Sequence, residues 1–167
     1  MNKTEKKEHR KIVILFSSIV VLLLIILFSA IFYIRASRPI RQAKEEAMQL
    51  AKEHISLKRV DQFYWFTREA TYFSLVGETE NGKNVVVVIP KTGDQMLIFD
   101  EKDGLTEEQA RAVVREMVPE EKVKKATLGV FKDQVVWEVM TKINEELRYY
   151  LIDFKEGELV NRLPSEE

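Results

Sequence analysis

From Ile12 to Ile34 the chain reads IVILFSSIVVLLLIILFSAIFYI, 23 residues without a charge. Only Ser17, Ser18 and Ser29 interrupt the run, and serine hydroxyls can bond back to helix carbonyls. At 1.5 Å per residue a helix of this length reaches roughly 34 Å, enough to cross a hydrocarbon core of about 30 Å. The pattern therefore predicts a transmembrane helix over residues 12–34. A cleavable signal peptide is the rival reading, because the basic stretch before Ile12 resembles its leading region. The run is too long for an ordinary signal core, and a cut after Ala36 puts bulky Ile34 where a small residue is wanted. A retained anchor is the expectation.

Beyond the anchor the apolar period is first helical. RASRP reads as a short connector, with Pro39 at the first turn of an amphipathic helix, IRQAKEEAMQLAKEHI. Ile40, Ala43, Ala47, Leu50, Ala51 and Ile55 fall on its buried face, with His54 at the edge. A second helix fits LTEEQARAVVREMV, where Thr106 and Gln109 spell a capping box and Ala110, Val113, Val114, Met117 and Val118 face inward. Between and after the helices the period drops to two, in segments rich in β-branched and aromatic residues. Strands are predicted near Val60–Arg68, Thr71–Glu78, Asn84–Pro90 and Gln95–Phe99, with turns at Glu80-Asn81-Gly82 and Thr92-Gly93-Asp94. A second set is predicted near Lys122–Phe131, Val135–Lys142, Leu147–Phe154 and Leu159–Leu163. Its turns fall at Lys132-Asp133, Asn144-Glu145-Glu146 and Glu156-Gly157.

Laid over each other, the two halves are each a helix followed by an antiparallel meander. An offset of 63 sets Ala47, Leu50 and Ala51 on Ala110, Val113 and Val114. An offset of 64 sets Phe73, Leu75, Lys91 and Gly93 on Trp137, Val139, Lys155 and Gly157. The fold class expected is α+β: one N-terminal transmembrane helix, then two tandem helix-plus-antiparallel-sheet modules. The divisions are a cytoplasmic tail at 1–11, the span at 12–34, modules at 35–103 and 104–163, and a tail at 164–167. One such module buries little surface alone, so the pair is expected to fold together.

Charge sets orientation and narrows the partners. The flanks of the span carry equal numbers of Lys and Arg, but Lys3, Lys6, Lys7, Arg10 and Lys11 are packed into eleven residues. That density places the amino terminus inside and the domain outside. Five of the 26 basic and two of the 27 acidic residues precede position 35, leaving 21 basic and 25 acidic groups and a net charge near −4. Nucleic acid is thereby disfavoured as a partner. The chain has no cysteine, which removes disulfides, thiol catalysis and lipobox anchoring.

Catalytic patterns are missing. His54 is the only histidine beyond the span, and a cation near a helix carboxyl end is favourable on its own account. The acidic pairs, Glu45-Glu46, Glu107-Glu108, Glu120-Glu121 and Glu145-Glu146, are scattered rather than set at metal-ligand spacing. Asp100–Gly104 resembles a calcium loop but lacks its later ligands. Lys91-Thr92-Gly93 spells a tripeptide of penicillin-recognising enzymes without their nucleophile elements, and reads as a turn. No catalytic, cofactor or metal-binding residue is assigned, and the chain is expected not to be an enzyme. The local feature that rises above background is Phe63-Tyr64-Trp65-Phe66. Alternation sends neighbouring side chains to opposite faces of a strand. Either the sheet packs on the second module or is strongly twisted, so that both faces are covered, or Tyr64, Trp65 and Phe66 form a contact patch for a partner.

A basic amino terminus, one anchor and two helix-plus-meander units, with Trp137-Glu138-Val139 opening a hairpin, together resemble the YpmB or TseB-like family of Gram-positive bacteria. The resemblance implies tandem domains similar to the PepSY and cystatin-like fold. It further implies control of cell-wall elongation through a membrane-bound penicillin-binding transpeptidase, with no catalytic residues or cofactor to carry over. The expected function is a membrane-anchored, non-enzymatic regulator at the outer membrane face. The alternative is an extracellular protease-inhibitory module of PepSY type, and a wall hydrolase ranks third for want of a catalytic constellation. A five-residue connector extends at most about 17 Å. The partner should therefore be another membrane protein with a membrane-proximal domain.

Overall fold

A computed structural model describes residues 3–52, 54–93 and 95–164, with side chains 3–10, 36, 37 and 164 left aside. Glu53, the turn residue Asp94 and tail residues 165–167 lie outside it. The chain divides into two compact units, Met1–Gln42 and Ala43–Glu167.

In the first unit helix α1, Lys3–Lys52, begins. Its most apolar 18-residue window has a mean hydropathy of 3.2 and is not buried by any other part of the chain. By length and composition this helix can cross a membrane. Ser18 Oγ donates to the Leu15 carbonyl at 2.7 Å, the local bond that makes a hydroxyl tolerable in an apolar helix. The expected connector is a correction: α1 runs through RASRP with Pro39 inside it. Proline forfeits the bond to the carbonyl four residues back, but one missing bond is outweighed by the strong helix formers that follow it. Ile40, expected on the buried face, is exposed.

The second unit opens with the last turns of α1. Ala43, Ala47 and Ala51 are buried on one stripe, with Met48, Leu50 and Ile55 packed beside them. Alanine at four-residue spacing lets the helix backbone approach the sheet closely. That sheet is β1 (Leu57–Thr67), β2 (Thr71–Thr79), β3 (Asn84–Pro90) and β4 (Leu97–Asp100), antiparallel and in sequence order. Phe73, Leu75, Val85, Val87 and Ile89 face the alanine stripe. Lys91-Thr92-Gly93 opens the β3–β4 connection, where Gly93 takes φ +81° and its N–H bonds the Pro90 carbonyl. Only glycine adopts that φ without strain.

A one-turn helix at Glu101–Asp103 leads to α2, Glu107–Met117, whose Thr106–Gln109 capping box is complete. Ala110 and Val114 are buried and Val113 and Val118 partly so, but Met117, expected inside, is 40% exposed. The second sheet is β5 (Lys122–Phe131), β6 (Gln134–Ile143), β7 (Glu146–Asp153) and β8 (Leu159–Pro164), again in sequence order.

The two meanders match in detail. The β1–β2 pairing skips Asp61 and the β5–β6 pairing skips Lys124, so a bulge recurs 63 residues along. Ala47 and Ala51 are fully buried, and so are Ala110 and Val114 at the same offset. Gly157, at φ +73°, repeats the left-handed turn of Gly93.

Candidate functional site

The aromatic run sits on β1, and the strand's alternation decides its fate. Phe63 and Trp65 lie toward β2's Phe73, with ring centroids at 5.9 and 5.7 Å. Tyr64 and Phe66 point the other way, into the second module. Of the three residues expected to meet a partner, Tyr64 and Phe66 are therefore a correction: they are 8% and 1% exposed. Trp65 remains at the surface, 39% exposed, its Nε1–H donating to Thr67 Oγ1 at 3.1 Å. Both faces of the first sheet are covered, one by α1 and the other by the second module.

The seam between modules is built from matching strands. Phe66 lies so flat on Gly129 of β5 that an added Cβ there would come within 2.1 Å of its ring. Tyr64 meets Trp137 edge to face at 5.1 Å, and Phe99 meets Phe154 at 5.4 Å. Ser74, fully buried, satisfies its hydroxyl on the Leu128 carbonyl at 2.9 Å. Arg68 reaches Glu138 at 2.7 Å and stacks over Tyr149, at 4.6 Å from its centroid. The Tyr64 hydroxyl lies 2.7 Å from Gln62 Oε1 and 2.8 Å from Glu107 Oε2, with one hydrogen to give. Burial, then the Glu107 carboxylate, push its pKa up, so it stays a neutral donor.

A second polar cluster went unseen in the sequence. Glu121, in the loop before β5, has a fully buried side chain. It accepts from Thr141 Oγ1 at 2.5 Å, Arg148 Nη1 at 2.5 Å and the Tyr150 hydroxyl at 2.9 Å. Desolvation raises its pKa, but these hydrogen bonds and the Arg148 charge outweigh it and hold the carboxyl below its ordinary value. Both carboxylate oxygens are hydrogen-bonded within the fold, so the cluster is structural in character. Proline 119 and the pair Glu120-Glu121 read as an exposed loop, and no local signal marks Glu121 as buried.

Among the described residues no group of three or more His, Cys, Asp or Glu could hold a metal ion. His54 is exposed in the turn after α1. What the unit presents is a pair of packed modules with Trp65 exposed on its β1 edge.

Comparison with known proteins agrees with this architecture. Residues 46–90 match the family described as cell wall elongation regulator TseB-like domain, and residues 104–163 match the one described as peptidase propeptide and YPEB domain (PepSY). The fold is thus an α+β one of YpmB type that follows a long apolar helix. The chain is similar to the YpmB/TseB-like proteins in sequence and in fold. It is 26% identical over 140 residues to the Bacillus subtilis (strain 168) protein named "Probable cell wall elongation regulator TseB", covering 82% of this chain and 86% of that one. The solved YpmB protein from Bacillus subtilis shares the fold, with a TM-score of 0.65 at 24% identity over 72% of this chain and 96% of that one.

Proposed function

We propose that this chain is a membrane-anchored, non-enzymatic regulator of cell-wall elongation that binds a membrane-bound penicillin-binding protein at the outer face of the membrane. The observation that carries the reading is the likeness, over 82% of the chain, to a protein named a probable cell wall elongation regulator. The apolar helix supplies the anchor, and the dense basic flank before it favours an amino terminus inside. Trp65 is the contact residue of choice, since an exposed tryptophan on an ordered strand offers a large contact area with little conformational entropy to lose.

Affinity capture with the full chain from detergent-solubilised membranes tests this. A penicillin-binding protein should come down with the native chain and fall to background with Trp65→Ala, at unchanged thermal stability. Recovery of no penicillin-binding protein sinks the reading. Recovery of a protease alone favours the second reading, an extracellular inhibitory module, for which the peptidase-propeptide match over residues 104–163 speaks. Release of fragments from purified peptidoglycan by the protein would overturn the non-enzymatic assignment.

A further inference from the structure

We infer that the cleft between the two modules receives a lysine or arginine side chain of the protein partner. The inference rests on the proposed role as a partner-binding regulator. The cleft encloses about 310 Å³, at the lower end of the range of about 300–1,000 Å³ typical of ligand pockets. Its floor is apolar and comes from both modules: Val76 and Val86 of the first sheet, Leu105, and Trp137 of the second. Neither module makes it alone.

The mouth is acidic, lined by Glu101, Glu107 and Glu108. Glu107 is fixed by Arg111 at 2.7 Å and by the Tyr64 hydroxyl, and Glu108 pairs with Arg115. Glu101 has no cation beside it among the described residues, and neighbouring Lys102 turns instead to Asp100. With Arg111 and Arg115 offsetting Glu107 and Glu108, Glu101 is the mouth carboxylate left without an ion pair among the described residues. An anion finds no welcome here, because three carboxylates line the mouth. A metal ion finds no converging ligand group among the described residues. An apolar floor beneath a negative mouth suits a ligand with an aliphatic stem and a cationic head, the chemistry of lysine and arginine side chains.

The test uses the full chain in detergent micelles and reads the two tryptophan indole N–H signals by NMR. N-acetyl-lysine methylamide and N-acetyl-arginine methylamide are the probes, with N-acetyl-norleucine methylamide as the neutral control. The basic probes should shift the Trp137 signal saturably, while the norleucine probe leaves it in place and the Trp65 signal, on the sheet's opposite face, stays put. Glu101→Gln should weaken the titration about three- to fivefold, the scale of one partly exposed charge pair. No shift at Trp137, an equal shift with norleucine, or indifference to Glu101→Gln overturns the inference. A capture arm separates this failure from failure of the functional reading. A penicillin-binding protein recovered with the native chain and equally with Glu101→Lys defeats the cleft and spares the reading. No penicillin-binding protein at all defeats the reading, and the indole titration then decides the cleft by itself.

Discussion

Lys58 of β1 pairs with Glu78 of β2 at 3.1 Å; 63 residues on, Glu121, just before β5, accepts from Thr141 of β6 at 2.5 Å. The sequence offset is the same and the setting is opposite. Lys58 is 62% exposed, whereas the Glu121 side chain has no exposure. A second matched position diverges in the same way, with Phe66 in the first module where the second has Gly129, and those two residues pack on each other. The two modules share one frame, and they are unlike where they meet. Bulk in one copy faces a gap in the other. A solvated charge in one becomes a buried, hydrogen-bonded charge in the other.

The comparison can be broken at four points. Phe66→Ala should cost most, about 4 kcal/mol, because it empties the centre of the seam. Chemical denaturation followed by tryptophan fluorescence reads the loss, and a cost below about 1 kcal/mol would show that Phe66 is surface rather than seam. Glu121→Ala should cost about 3 kcal/mol, the lower end for a broken buried pair, since Arg148 keeps some access to water. The same residue sets a pH dependence. Its native carboxyl binds a proton less readily than the unfolded chain does, so its contribution is complete above the ordinary value of 4.5 and fades as pH falls through the lower native value. Melting curves taken downward from neutral pH should lose a component of their acid slope in Glu121→Gln. Gly129→Ala should cost about 2 kcal/mol through the clash with the Phe66 ring. Pairing it with Phe66→Ala should give less than the sum, and strict additivity would deny the contact. Lys58→Ala sharpens the contrast from the other side, with a change below about 0.5 kcal/mol at a site where Glu121 matters sixfold more.

Much of the frame was legible in the residues. The β-branched run of Asn84–Pro90 and the Thr106–Gln109 box are local signals, and both elements formed where local chemistry puts them. The face taken by Tyr64 and Phe66 was not legible, because period two gives the pairing of side chains but not which pair turns inward. That choice is made by Gly129 and Trp137, more than sixty residues away. Pro39 misled for the converse reason: a local breaker was outvoted by its helical neighbours. Glu121 lay hidden because burial of a loop carboxylate depends on Thr141, Arg148 and Tyr150, which only the sheet assembles around it.

The order of the strands has a consequence for how the domain comes into being. Every strand pairs with its neighbour in sequence, so each meander can zip as a series of hairpins without waiting for distant chain. Tyr64, Val76, Val86 and Val88, however, find their cover only once α2, β5 and β6 exist. During synthesis the first half is thus a finished sheet with one dry face and one sticky one, a species open to misassociation until its sibling emerges. The duplicated architecture makes the second half a chaperone of the first by position alone.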